Sequence, residues 1–425
     1  MTWRDVTGAV GAAALSFGVY ALIEDLDPWH VVWYVVAWFG YFAILDAVVA
    51  RWRGRGDVLL RKRHLSLFLW SIPFWFFFEL YNIRIQNWYY VFTFHSVVIS
   101  FLFSCLAFST VLPACLLHEQ VLRQTGWFAR LRGTPVRVEA YRWPLATLGI
   151  ACLVLPLAYP QHSYWMVWGS LLCLPEVLAH RLGTPSVLGL LERGDRERIG
   201  TLLGGGLWAG LMWEGLNFWA RCKWVYTVPG LEETKLFEMP ILGFVGFPGL
   251  ALNAYPTWGL IQLGWSRGRL VQTGQVIVAL ATIFTGFTLT FTQTVHSPRP
   301  LLARLSGLTD EATAVLRQEG VETPEWFDRL CRSQTPEAIA MRLGLETETV
   351  RLACNHAQIA LHKGMGTARA DLLMRNGVLT LNDLSGLGEG ALQNIILAGG
   401  DLTPPVRAAE VRLWCRSAAD GVPKR

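Results

Sequence analysis

The sequence predicts an all-α protein: a polytopic membrane part of about nine helices, built from two four-helix parallel repeats, followed by a small soluble helical domain. Three observations predict this. The 425-residue chain is 52% apolar and only 16% charged, with 20 Trp and 22 Phe, a balance far from that of ordinary soluble domains. The balance is also uneven, because residues 1–299 hold 18 of the 20 Trp, whereas residues 300–425 hold 2 Trp with 14 Lys+Arg and 15 Asp+Glu. Finally, apolar runs of about 20 residues, the length that crosses a bilayer, recur through the first part.

The first run, 8–23, lies in "MTWRDVTGAVGAAALSFGVYALIEDLD" and carries no small-residue cleavage signal, so it reads as a membrane helix and not a removed leader. Further spans are predicted at 29–50, 65–81, 96–118, 143–159, 163–179, 201–219, 241–263 and 274–295. The loops between them alternate in character. "RWRGRGDVLLRKRH" (51–64) carries six Lys/Arg, and 119–142, 180–200 and 264–272 are also basic. The intervening loops, "EDLDPWH", "IQNWYYVFTFH" and "AYPQHSYW", are acidic or aromatic. Basic loops stay in the cytoplasm, so the expected location is a cell membrane of the bacterial inner-membrane type, crossed many times, with these loops inside.

The membrane part contains a duplication. "FFFELYNIRIQNWYY" and "LMWEGLNFWARCKWVYT" share E-x-x-N followed by W-x-Y: Glu79, Asn82, Trp88 and Tyr90 against Glu214, Asn217, Trp224 and Tyr226. Pro113 and Pro248 follow at 23 and 22 residues after the tyrosine, and Asp46 and Glu176 precede the glutamate by 33 and 38 residues. The predicted divisions are therefore 1–142 (repeat one), 143–272 (repeat two), 273–299 (last helix and linker) and 300–425 (soluble domain). Four helices per repeat is an even number, so the copies run parallel, related by a pseudo-two-fold along the membrane normal. Only the second copy adds an acid, Glu238 in "LFEMPILGFVGFP".

A carboxylate inside a membrane helix costs roughly 2.5–3.5 kcal/mol even on the lenient insertion scale. Residues i and i+3 share a helix face, so Glu79 pairs with Asn82 and Glu214 with Asn217. The expected site is a cavity with Glu214, Glu238 and Glu79 as acid/base groups. Asn82, Asn217, Trp88, Tyr90, Trp224 and Tyr226 would bind substrate there. Burial disfavours a charged carboxyl group, which suits a general acid, and aromatic faces stabilise a developing cation. The competing reading is that these residues cap helices and sit at the membrane boundary, where Trp and Tyr are enriched. Metal ligation is not expected: His95, His118, His162, His180 and His296 are dispersed, and the eight Cys show no C-x-x-C spacing. His180 shares a face with Glu176, which reads as a surface contact. "LLGGG" (202–206) reads as close helix packing. No cofactor is indicated.

On these residues (Glu79, Glu214, Trp88, Trp224 and Glu238) the segment 30–265 resembles the lycopene-cyclase-type membrane family, which is also duplicated, with an acid followed by a W-x-[FY] loop and an acidic-proline helix. The resemblance implies an isoprenoid-cyclase-like fold with acidic catalytic residues. The chain departs from the family pattern in having no paired glutamates after a proline and in placing Glu238 before Pro240.

The tail is a tandem at an offset of 57: Gly307, Leu316, Gly320, Val321 and Thr323 match Gly364, Leu373, Gly377, Val378 and Thr380. Each copy reads as a helix closed by glycine, a turn and a second helix. It resembles a helix-hairpin-helix-like domain family of unknown function, in which Gly364–Gly366 and Gly386–Gly388 match the turns. With 14 Lys+Arg against 15 Asp+Glu the tail is formally −1, without the basic face of a nucleic-acid module, so a protein partner or self-association is expected. Its side of the membrane stays open: nine spans put it outside, whereas three cysteines without obvious pairing (Cys331, Cys354, Cys415) suit a reducing cytosol.

The expected function is a membrane-embedded enzyme acting on a lipid-soluble isoprenoid or polyene substrate. The rival is a non-catalytic lipid-binding, transport or scaffold protein whose tail recruits a partner.

Overall fold

The computed structural model describes residues 3–52, 62–228, 234–294, 296–399 and 406–421. Most of the basic loop 51–64 lies outside the described residues. The chain is mostly helical and divides into two compact units. The first comprises Met1–Asn87, Val98–Arg221 and Val228–Thr290; the second comprises Trp88–Val97, Cys222–Thr227 and Phe291–Arg425.

The first unit begins with α1 (Trp3–Ile23), α2 (Trp33–Trp52) and α3 (Lys62–Ile85). The run expected as one helix over 96–118 is two, α4 (Val97–Phe108) and α5 (Val111–Thr125), with the break at Ser109–Thr110. Next come α6 (Arg142–Ala158), the short α7 (Pro160–Ser163), α8 (Ser170–Arg181) and α9 (Val187–Glu192). The unit closes with α10 (Arg196–Trp219), α11 (Gly246–Ser266) and α12 (Arg269–Gln293). Among the described residues, five stretches are long and apolar enough to cross a membrane: Asp5–Ile23, Trp33–Trp52, Val97–Thr125, Glu139–Ala158 and Arg269–Gln293. The nine expected spans are thus not all of that kind. Helices α3, α10 and α11 have the length, but their Trp, Gly, Asn and Glu residues dilute the hydropathy. The predicted 163–179 helix is a 3-10 stretch, Tyr164–Gly169, leading into the twelve-residue α8.

The apolar helices differ in surroundings. Helix α2 is largely buried, whereas α6 and α12 turn Ile150, Val154, Ile277, Val278 and Phe284 outward. Extended exposed apolar surface of this kind marks contact with something other than water.

Helix α10 organises the packing through its glycines, as the sequence suggests. A Cβ on Gly205 would lie 2.6 Å from the Glu119 backbone nitrogen on α5, and Gly206 and Gly210 meet Phe247 of α11 as closely. The backbones approach because nothing stands between them. The end of α5 also belongs to this packing and not to a basic loop: buried Glu119 meets Arg198 at 3.2 Å, Arg123 at 3.7 Å and the Thr201 hydroxyl at 3.2 Å.

The second unit departs from an all-α reading. The aromatic loops after α3 and α10 are strands, β1 (Trp88–Thr93) and β2 (Lys223–Tyr226). Runs such as W-Y-Y-V-F-T favour the pleated, half-buried state. They join the later β5 (His296–Pro298) in the order β2-β1-β5. The small hairpin of β3 (Lys235–Leu236) and β4 (Met239–Pro240) belongs to the first unit. Strand β1 runs antiparallel to β2 and parallel to β5.

The helices of the second unit are α13 (Asp310–Gln318), α14 (Pro324–Ser333), α15 (Pro336–Leu343), α16 (Thr347–Leu361), α17 (Thr367–Arg375), α18 (Leu381–Gly386), α19 (Glu389–Ala398) and α20 (Ala408–Gly421). The tandem positions adopt the same local structure. Gly307 and Gly364, and Gly320 and Gly377, all take positive φ, the region glycine enters without cost. Thr323 and Thr380 both cap the following helix with their hydroxyls. One core gathers Leu305, Leu316, Phe327, Ile339 and Val350; the other gathers Tyr89, Val91 and Val225 of the strands with Leu373, Leu384 and Trp414. Two of the three tail cysteines are joined, Cys331 of α14 to Cys354 of α16, with Cα atoms 5.8 Å apart. Their spacing of 23 residues hides the pairing, since only the packing of α14 on α16 brings them together.

Two outcomes follow. Gly205→Val forces a branched side chain into the α5 backbone, an overpacking cost of about 1–3 kcal/mol or more, read as a lower midpoint of thermal unfolding in detergent. Buried His356 has its pKa lowered from 6.5 by burial, against the opposing pull of Asp371. The unfolded state therefore binds the proton first. The stability this neutral histidine contributes is complete above pH 6.5 and falls away as the pH drops below it. His356→Gln flattens that acid limb for the second unit in urea titrations at stepped pH.

Candidate functional site

The predicted site residues fall into two groups. Glu79, Asn82, Glu214, Asn217 and Glu238 belong to the first unit; Trp88, Tyr90, Trp224 and Tyr226 belong to the second.

The five polar residues are all buried. Glu214 and Asn217 lie on the last turns of α10, past the glycines that seat the helix. The neighbouring Trp213 ring is 5.7 Å from Trp38 of α2 and 6.0 Å from Phe247 of α11. Tyr34 of α2 lies within electrostatic reach of the Glu214 carboxylate, and the Trp33 indole donates to the Leu216 carbonyl at 3.3 Å. Trp38 is held in turn by donating to Thr110 Oγ1 at 2.8 Å.

The hairpin that carries Glu238 reaches the same helix through Phe237. Phe237 and Glu238 are the two turn residues between β3 and β4, whose ladder pairs Leu236 with Met239. Phe237, at φ 60°, lays its ring 5.9 Å from Phe218 and against Gly215, where an added Cβ would be 3.7 Å away. The hairpin turn therefore rests on α10 one residue from Glu214. Phe237 and Gly215 are 22 residues apart in the chain, and the hairpin brings them together.

The first copy is more locally bound. Trp75 donates its indole N–H to Glu79 Oε1 at 2.8 Å, and Asn82 Oδ1 accepts from the Asn87 backbone at 2.9 Å. Asn82 thus closes the end of α3. Helices α3 and α10 both pack on α5. A seam of rings links the copies: Phe78 stacks on Trp168 at 5.2 Å, Trp168 lies against Gly246, and Phe247 meets Trp213. Trp38, Trp168, Tyr34 and Phe237 did not stand out in the sequence, because in so aromatic a chain none is marked by spacing.

Trp88, Tyr90, Trp224 and Tyr226 are sheet residues. Trp88 opposes Tyr226 and Tyr90 opposes Trp224, so the two W-x-Y copies pair with each other. The Trp224 indole donates to the Tyr226 hydroxyl at 2.9 Å, and Arg407, paired with Glu410, donates to the Trp88 carbonyl at 3.4 Å. These contacts give them a structural role within the sheet.

Three further groupings were not legible. The Tyr41 hydroxyl donates to His118 Nε2 at 2.8 Å while His118 Nδ1 donates to the Ala114 carbonyl at 2.8 Å, beside Trp38 and Trp208. His180 pairs with Glu192 at 2.8 Å, and not with Glu176, which accepts from Leu188 N at 2.5 Å. In the second unit Ser306, His356 and Asp371 meet, but the order is wrong for nucleophilic catalysis. Asp371 Oδ1 sits between the Ser306 hydroxyl (2.5 Å) and His356 Nε2 (3.0 Å), and His356 Nδ1 accepts from the Ser306 backbone. This is a clasp between α16, α17 and the start of the domain. Among the described residues no group of three His, Cys, Asp or Glu side chains is placed to hold a metal ion.

The glycine turn of the second tandem copy is also occupied. The Gly364 carbonyl accepts from Ser297 Oγ, the Lys363 carbonyl accepts from Tyr89 Oη at 2.7 Å, and a Cβ on Gly364 would collide with Val91. Gly364 is thus needed for the close approach of β1.

Residues 306–392 match the family model described as a domain of unknown function, DUF4332. That agrees with the reading of the tail as a domain family of unknown function. No curated protein and no solved structure matches the chain, and the lycopene-cyclase-type resemblance finds no support there.

The Asn82 cap is open to measurement. Asn82→Ala leaves the Asn87 N–H without its side-chain acceptor and lowers stability by about 1 kcal/mol, seen as a shifted unfolding midpoint, whereas Asn82→Asp retains the bond.

Proposed function

We propose that the protein is an integral membrane enzyme in which Glu214 and Glu238 carry out acid/base chemistry on a lipid-soluble substrate of the isoprenoid or polyene class. The observation that carries this reading is the burial of Glu214 and Glu238, with the Phe237 ring of the hairpin turn seated against Gly215 of α10, one residue from Glu214. Burying a carboxyl group among apolar side chains is expensive, and both Glu214 and Glu238 are buried. The protonated member of the pair donates to a double bond, and the other takes a proton from the resulting cation. Trp213, Trp38 and Phe237 supply ring faces that stabilise positive charge between those steps. Asn217 shares the helix face of Glu214 and orients it. Glu79 belongs to the related position of the first copy, and its bond from Trp75 suits a positioning role.

Membrane insertion is supported by the outward apolar faces of α6 and α12. Exposed Trp143 at the start of α6 and Tyr159 just past its end occupy the positions where interfacial aromatics sit. The basic loops set the cytoplasmic side. The two-fold relation of the repeats is supported by the pairing of Trp88 with Tyr226 and Tyr90 with Trp224, since an antiparallel ladder is what a two-fold between equivalent strands generates.

The rival reading, a lipid-binding, transport or scaffold protein without chemistry, is favoured by the local bonds of Glu79 and Asn82, which use those side chains to finish α3.

Lipid extracts from cells carrying the wild type, Glu214→Gln and Glu238→Gln are compared by mass spectrometry. A lipid product is expected with the wild type and is lost in both variants. If deleting the protein changes no lipid class, the enzyme reading fails and the rival stands. Carbonate-washed membranes are expected to retain the chain.

A further inference from the structure

We propose that the second unit operates outside the cytoplasm as an oxidised module, with Cys331–Cys354 formed there by exchange with a thiol–disulfide oxidoreductase. The inference rests on the membrane reading above and settles the side on which the tail works. Two observations carry it, and neither depends on counting spans.

The first is the sheet. Helix α3 ends at Ile85 and β1 begins at Trp88; α10 ends at Trp219 and β2 begins at Lys223; α12 ends at Gln293 and β5 begins at His296. Connectors of two or three residues span at most about 10 Å, and strands hydrogen-bonded to one another cannot lie on opposite faces of a bilayer. The three helices therefore finish on the same side. The ladder extends beyond β5, since Arg299 N donates to the Thr93 carbonyl at 3.0 Å and the Arg299 carbonyl is bound to His95 at 2.9 Å. The opposite end of α10 carries Arg193, Arg196 and Arg198, and Gly133 N donates there to the Gly194 carbonyl at 3.2 Å from the loop with Arg130, Arg132 and Arg137, so the strands face away from the cytoplasm.

The second is the disulfide. Cys331 and Cys354 join α14 to α16 within the core that also holds Leu316, Phe327 and Val350. Such bonds persist in oxidising compartments and are rare in the cytosol. The pair gives up two protons and two electrons to the disulfide of the oxidoreductase, which is released as a dithiol. The remaining tail cysteine, Cys415, is buried and free, and burial raises its pKa, which withholds the thiolate that would scramble the pairing.

The test uses the full-length protein in intact cells, recovered afterwards in carbonate-washed membranes. Met341, on α15, is highly exposed, and Arg130 lies in an arginine-rich loop. A membrane-impermeant maleimide is expected to label Met341→Cys above the wild-type background before permeabilisation, and Arg130→Cys only after it. The wild type, denatured without reduction, takes six adducts, and after reduction takes eight, because two of its eight cysteines are bonded. Labelling of Arg130→Cys first, or eight adducts without reduction, overturns the proposal. Recovery of the chain in the carbonate supernatant overturns instead the membrane reading on which it rests.

Discussion

The close approach of α10 to α5 and α11 is the constraint on which the first unit depends. Gly205 admits the α5 backbone, Gly206 the Phe247 backbone of α11 and Gly210 the Phe247 side chain, so the helix is held on two sides by close approach at its glycines. In an apolar surrounding there is little hydrophobic drive between helices, and van der Waals contact of this kind is what holds them. Its consequence is positional. A helix seated that firmly along its middle carries its last turns, with Glu214 and Asn217, to a defined place, where the adjacent Trp213 meets Trp38 and Phe247.

Polar groups in this unit follow one rule: each is buried where a partner can be supplied. Glu119 gathers Arg198, Arg123 and Thr201 at one end of α5, and Asp25 takes Arg221 at 2.9 Å. These satisfy structural needs. Glu214 and Glu238 differ in their aromatic neighbours: Trp213, beside Glu214, meets Trp38 and Phe247, and Phe237, beside Glu238, meets Phe218. That contrast, more than burial alone, distinguishes the candidate site from the other buried charges.

The second unit is built differently. Short capped helices with glycine ends make two cores, and the second core is completed by β1 and β2, which come from far earlier in the chain. Tyr89 is the pivot: its hydroxyl meets the Lys363 carbonyl at 2.7 Å and accepts from the Trp414 indole at 3.2 Å. The glycine turn that a nucleic-acid hairpin would offer to phosphate is here pressed on a strand of the same protein.

Periodic and compositional features were legible in the sequence alone: helical content, the change of character near residue 300, the tandem glycines and capping threonines, and the packing role of the glycines in α10. These are local, since hydropathy, propensity and positive φ act on neighbouring residues. The E-x-x-N pairs were visible for the same reason, as i and i+3 share a face. Tertiary structure alone decided what depends on distant segments. It turned the W-x-Y loops into paired strands. It set Phe237, in a two-residue turn, against Gly215 of α10, and joined Cys331 to Cys354 across 23 residues. No spacing rule encodes such meetings, because they are fixed by which backbones can approach one another, and that is decided only when the helices pack.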